Sequence, residues 1–162
     1  MSKKPRMYIE TTIPSYLAAR PSRDVVVLAH QQITREWWHG SEERYEMFVS
    51  SVVLDEIRSG DETMSRMRLD LIRRLPRLEI TDEIGRLAER YIKELRLPGK
   101  AYRDALHIGL AVGHGMDILL TWNCAHIANE RIRRKLQKVN LEIGCDTPSI
   151  CTPEELVPHE TE

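Results

Sequence analysis

Short apolar runs alternate with longer stretches of helical periodicity along this chain, and that alternation constrains the fold more than any other feature. Met7-Tyr8-Ile9 is the first short run and reads as a buried strand ending at Glu10. Asp24 to Trp38 follows, with Val26, Ala29, Ile33 and Trp37 on one helical face. Glu46 to Val53 is a second strand candidate, interrupted by Ser50 and Ser51, either of which can cap a helix running through Glu56. Asp61 to Leu75 has helical spacing, and Leu78 to Ile80 a third strand pattern. Thr81 to Leu95 is the clearest helix, with Thr81 as cap and Pro98-Gly99 as breaker. Tyr102 to His114 is apolar nearly all round and therefore a buried helix. Ile118 to Thr121 is a strand, Ala128 to Val139 a basic helix, and Ser149 to Cys151 a last strand. Strands that alternate with helices in this way form crossovers around a parallel sheet.

One domain over residues 1–157 accounts for the length, and the polar end, Pro158 to Glu162, is expected to fray. A chain of this size buries about two thirds of its unfolded surface, so its core needs no disulfide staples. The three cysteines, Cys124, Cys145 and Cys151, are odd in number and lack metal-clip spacing, which points to reduced thiols. No apolar run approaches the roughly 20 residues of a membrane span, and the basic start carries too short an apolar run for a signal peptide. The expected location is the cytoplasm. Net charge is −1, so any nucleic-acid contact must come from a local basic surface rather than from the chain as a whole.

Ligands of a parallel sheet collect outside the C-terminal ends of its strands, at the point where the strand order reverses. Four polar residues meet that rule. Glu10 closes the first strand, Glu56 lies on the helix after the second, Asp104 sits in the first turn of the buried helix, and Asn123 follows the fourth strand. Asp117 stands before its strand, at the opposite rim, and is excluded. Three carboxylates in one cleft repel one another and stay ionised together only with a cation among them. Mg²⁺ or Mn²⁺ suits such oxygen donors and leaves positions open for phosphate. Lys100 and Arg103 flank Asp104 and are placed to hold a phosphate. Thr121 either contacts the site through its hydroxyl or finishes its strand. Thr11, Thr12 and Ser15 either bind phosphate or cap a helix.

These segments resemble the PIN-domain family. Tyr8-Ile9-Glu10-Thr11-Thr12-Ile13-Pro14-Ser15-Tyr16 is similar to the opening of one of its branches. Leu54-Asp55-Glu56-Ile57-Arg58-Ser59-Gly60, Arg103-Asp104-Ala105-Leu106-His107-Ile108 and Leu119-Leu120-Thr121-Trp122-Asn123-Cys124 resemble its second, third and fourth motifs, in the family's order. The resemblance implies a three-layer α/β/α fold around five parallel strands. It implies Mg²⁺- or Mn²⁺-dependent cleavage of RNA, often by the toxin of a VapC-like toxin–antitoxin pair, and homodimers are common in the family. Glu10, Glu56 and Asp104 would hold the ion, and Asn123 would stand at the fourth acidic position. Two departures matter: Glu10 replaces the usual Asp, and the neutral Asn123 replaces a frequent Asp. At most one firm metal site is expected, because Asn123 offers a carbonyl but no charge.

Other patterns give way to simpler accounts. His107, His114, Cys124 and His126 match no common zinc clip, and Gly109, Gly113 and Gly115 serve helix packing rather than a dinucleotide turn. The basic residues of 66–77 and 131–138 (Lys135 and Lys138 among them) read as solvated helix faces, with contact to RNA as the alternative. Trp37 and Trp38 are adjacent and cannot both face one core, which predicts a protein interface for one of them. Two functions compete with a ribonuclease. One is a catalytically inactive PIN-like module that binds RNA or a protein, favoured by Asn123. The other is phosphoryl transfer through an aspartyl nucleophile, which Glu10 disfavours.

Overall fold

The computed structural model describes residues 2–158; of the end expected to fray, residues 159–162 lie outside the described residues. The chain runs β1 (Arg6–Ile9), α1 (Thr12–Ala18), α2 (Val25–Trp38), α3 (Ser41–Arg44), β2 (Glu46–Ser50), α4 (Ser51–Ile57), α5 (Glu62–Ile72) and β3 (Arg77–Leu78). It continues with α6 (Asp82–Glu94), a 3-10 turn (Gly99–Ala101), α7 (Tyr102–Gly113), β4 (Ile118–Leu120), α8 (Glu130–Ile143), β5 (Ser149–Cys151) and α9 (Pro153–Leu156). The five strands form one parallel sheet in the order β3-β2-β1-β4-β5, flanked by helices. This is the α/β architecture that the alternating pattern implies.

The central strand is β1. Met7 pairs with Met47 of β2 on one side and with Ile118 of β4 on the other. The chain leaves β1 toward β2 and β3, then returns to β4 and β5 on the far side. The strand order therefore reverses between β1 and β4, and the C-terminal ends of these two strands are where a ligand crevice opens.

Local chemistry sets the helix starts. Asp24, Ser50, Thr81 and Asn129 each accept a hydrogen bond from a backbone N–H of the first turn, and each such cap is worth about 1 kcal/mol. The Ser50 cap ends β2 three residues before the expected Val53, because its extended backbone turns directly into α4. Asn129 moves the start of the basic helix from Ala128 to Glu130, and Gly144, with φ of 74°, ends it. β3 closes at Leu78 rather than reaching Ile80, since Thr81 leads at once into α6.

The core forms where α7 crosses the sheet. Eight consecutive residues, Ala105 to Val112, are buried. Gly109 and Gly113 let α7 approach α6 closely. A Cβ at Gly113 would stand 2.7 Å from Ile84 Cγ1, so close helix packing explains that glycine. Trp37 is fully buried, and Trp38 is half-buried against the same core. Both indoles therefore pack on one core, which corrects the premise that adjacent tryptophans cannot share it. Tyr45 folds back against the Trp37 ring at 6.0 Å, and the end of α2 offers room for both indoles.

Candidate active site

Glu10 leaves β1 with its backbone N–H donating to Leu120 O of β4 at 3.1 Å. Its side chain bends back into the protein and is 3% exposed. Thr12 N, Thr12 Oγ1 at 2.6 Å and Thr121 Oγ1 at 2.7 Å all donate to Glu10 Oε1. Thr12 Oγ1 in turn accepts from Trp122 N, and Thr121 Oγ1 accepts from Asn123 N. Hydroxyls thus stitch together the ends of β1 and β4, and Glu10 is held rigidly between them.

Glu56 enters from α4, six residues beyond the Ser50 cap. Its Oε1 accepts from Thr11 Oγ1 at 2.8 Å and pairs with His107 Nε2 at 2.6 Å. The fully buried His107 has its other nitrogen, Nδ1, 2.6 Å from the Tyr8 hydroxyl, which lies 2.7 Å from Ser50 Oγ. A chain of hydrogen bonds therefore runs from the cap of α4 through the centre of the sheet to Glu56. Asp104, in the first turn of α7, meets both partners from the loop after β4. Asn123 Nδ2 donates to Asp104 Oδ1 at 3.0 Å, and His126 Nδ1 lies 2.8 Å from Oδ2. Asn123 Oδ1 accepts from His126 N, so the amide and the imidazole are set together.

The charges agree with this geometry. Burial pushes the His107 pKa down, but the bond to Glu56 and the charges of Glu10, Glu56 and Asp104 push it up further, and the net shift is upward. Burial raises the pKa of Glu56, yet His107, Thr11 and Arg103 together bring it below its ordinary value. The two shifts describe one ion pair, Glu56 carboxylate with His107 imidazolium. Burial holds the Tyr8 phenol well above its usual range, with Glu10 and Glu56 adding to the shift. The charges of all three carboxylates therefore act on one buried histidine, and Glu56 alone is bonded to it.

The pair carries a stability signature. A group whose folded pKa is raised stabilises the fold below its unfolded value, about 6.5 for histidine, and loses that contribution as pH rises through the folded value. Glu56, shifted down, contributes above its unfolded value of about 4.3 and loses its contribution as pH falls through the folded one. The melting temperature is expected to fall as pH rises above about 6.5, and His107→Phe is expected to flatten that limb. Melting curves across pH 5 to 9 check both.

Of the other sequence-predicted residues, Thr11 and Thr121 touch carboxylates directly. Arg103 is exposed and close enough to depress the Glu56 pKa. Lys100 is exposed on the 3-10 turn and makes no hydrogen bond or ion pair among the described residues. Asp117 accepts from Arg6 N at the start of β1, on the opposite rim. Sequence reasoning missed His107 and His126 as partners of the acids. The signal for His107 was present: a titratable side chain inside an otherwise apolar helix needs a buried partner. His114 bonds to Glu79 O and takes no part.

The PIN domain model matches residues 8–123, a span that begins at Tyr8, ends on Asn123 and contains Glu10, Glu56 and Asp104. The chain belongs to the PIN domain family. Members of this family are generally nucleases. As a PIN domain its fold also matches the VapBC2 complex of Rickettsia felis bound to a DNA fragment from its promoter. The TM-score is 0.59 at 15% identity, covering 91% of this chain and 98% of the other. No curated protein matches the sequence.

Divalent metals are typical of PIN domains, and the donor set here suits them in kind: three carboxylates and an amide, all hard oxygen donors. Glu56 Oε2 takes no hydrogen bond among the described residues and is available to an ion. As placed, the acids face protein donors, and no three His, Cys, Asp or Glu groups among the described residues enclose a common point. An ion held by all three acids requires Glu56 and Asp104 to turn from His107 and His126.

Proposed function

We propose that this PIN domain is a Mg²⁺- or Mn²⁺-dependent endoribonuclease and the toxin of a toxin–antitoxin pair. The observation that carries the reading is the hydrogen bonding of Glu10 to Thr121, Glu56 to Thr11 and Asp104 to Asn123 at the ends of β1 and β4, where a parallel sheet presents its ligand crevice. Glu10, Glu56 and Asp104 would hold the ion. Bound there, it supplies Lewis-acid polarisation of a phosphodiester and a water of lowered pKa for in-line attack.

The residues divide the remaining work. Glu10 is fixed by the donors of Thr12 and Thr121 and sets the position of the site. Glu56 and Asp104 are less buried and free to change partner. When they do, the imidazoles of His107 and His126 stay beside them as hydrogen-bonding groups. Arg103 and Lys100, exposed at the start of α7, are placed to meet a substrate phosphate, with Thr11 at the same rim. Asn123 donates its amide to Asp104 and brings no charge, which favours one ion over two.

Support for a partner comes from the neighbouring fold, which was crystallised as a VapBC2 assembly on promoter DNA. An antitoxin protein, a cytoplasmic setting and a homodimer all belong to this reading. The rival reading, a non-catalytic module that binds RNA or a protein, draws on Asn123 and on the histidine bonds that occupy Glu56 and Asp104. Incubation with unstructured RNA separates the two. Internal cleavage in Mn²⁺ that stops on adding EDTA is expected. Intact RNA at equimolar enzyme, in both Mg²⁺ and Mn²⁺, would favour the module.

A further inference from the structure

Two residues of the sequence motifs, Tyr16 and Trp122, take no part in the carboxylate cluster, yet they sit at its edge beside His30 of α2. The His30 imidazole lies flat against the Trp122 indole, with centroids 4.0 Å apart and planes 12° from parallel. Tyr16 leans on both rings, 6.3 Å from Trp122 and 6.4 Å from His30. Trp122 is 7% exposed and doubly anchored: its Nε1 donates to Thr34 Oγ1 at 2.7 Å and its backbone N–H to Thr12 Oγ1. His30 and Tyr16 are only half-buried. The group adjoins the acids directly. Trp122 stands between Thr121, which holds Glu10, and Asn123, which holds Asp104. Burial raises the Tyr16 phenol, and Cys124 and Glu10 add to the shift.

Packing α1 and α2 onto β4 would be served as well by aliphatic side chains. The residues present are instead planar, with polar edges. Among the described residues neither ring nitrogen of His30 nor the Tyr16 hydroxyl has a hydrogen-bond partner. A rigid indole backing a half-exposed ring, with unused donors and acceptors at its rim, matches what a nucleobase requires: a flat face to stack on and groups to meet its edge.

We infer that His30 and Tyr16, backed by Trp122, form a stacking shelf for one unpaired nucleobase of a single-stranded RNA whose adjacent phosphodiester lies on the carboxylates. The inference rests on the ribonuclease reading for its ligand. A base inside a duplex cannot reach the shelf, so the substrate class is single-stranded RNA or a loop.

The test uses non-cleavable 2′-O-methyl oligonucleotides in which 2-aminopurine, whose fluorescence is quenched by stacking, is moved one position at a time. The wild-type protein is expected to quench one position. His30→Ala is expected to abolish that quenching and weaken binding about 10-fold. His30→Phe, which retains a flat ring, is expected to keep both. Tyr16→Leu and Tyr16→Phe form a second such pair, so a poorly folding variant at one position leaves the other to decide. No quenching at any position, or equal quenching in wild type and the alanine and leucine variants, would overturn the shelf and leave the rings as packing or as a protein-binding face. Cleavage of the unmodified strand is scored separately. Quenching without cleavage would sink the ribonuclease reading while keeping the shelf.

Discussion

Asp104→Ala is expected to reduce RNA cleavage to background while the protein stays folded. Asp104 is the acid presented by α7, and its two carboxylate oxygens face the loop after β4. Losing an outer-shell partner of a metal ligand costs about 10- to 100-fold in affinity or activity, so losing the ligand itself costs more. The fold tolerates the change because gains and losses nearly cancel. Two hydrogen bonds disappear, each worth about 1 kcal/mol net, together with a favourable helix-dipole contact of about 0.3–1 kcal/mol. In return, Glu10 and Glu56 lose a like charge beside them. The melting temperature should therefore fall by only a few degrees. Cleavage rates and thermal melts of one preparation check both halves. Asp104→Asn isolates the charge, because an amide can keep a bond to Asn123 or His126. An Asp104→Ala enzyme at wild-type speed would remove Asp104 from the site.

The largest expected loss of stability lies at Tyr8, two residues before Glu10. Its ring is fully buried in the central strand, and its hydroxyl joins Ser50 to His107. Tyr8→Ala removes an aromatic side chain from the middle of the core, a change that costs about 3–5 kcal/mol. It also leaves His107 Nδ1 without its buried partner. Against a total stability of about 5–15 kcal/mol for a domain, the loss is expected to unfold a large share of the protein near 37 °C. Tyr8→Phe keeps the packing and removes only the hydroxyl, for about 1–3 kcal/mol. Urea titrations followed by circular dichroism read both. If Tyr8→Ala lost under 1 kcal/mol, the chain from Ser50 to Glu56 would not be holding the site.

Much of this was readable from the residues because it depends on local chemistry. Strands came from short apolar runs such as Met7-Tyr8-Ile9, and helix starts from Thr81 and from the serines after β2. The placement of Glu10 and Asn123 beside each other follows from one topological rule, and the contact of Thr121 with Glu10 realises it. What escaped was non-local. Helix α1 has no side-chain cap and only seven residues, too few for a periodic signal. The histidine partners depend on separations of 51 residues for Glu56 with His107 and 22 for Asp104 with His126. No spacing rule reports such pairs. A histidine among buried residues announces that it needs a partner, and only the fold says which one. The two adjacent tryptophans misled for a related reason, because one core takes up both indoles at the end of α2, with Tyr45 tilted against Trp37.

One divalent ion is proposed to sit among the three acids. This placement is tested most directly by titrating the apoprotein with Mn²⁺ and following free Mn²⁺ by electron paramagnetic resonance. One tight site per chain is predicted, weakened more than about 10-fold in Glu10→Gln and in Asp104→Asn and unaffected by Asp117→Asn. Equal binding by wild type and both site variants, or no binding at all, would contradict it.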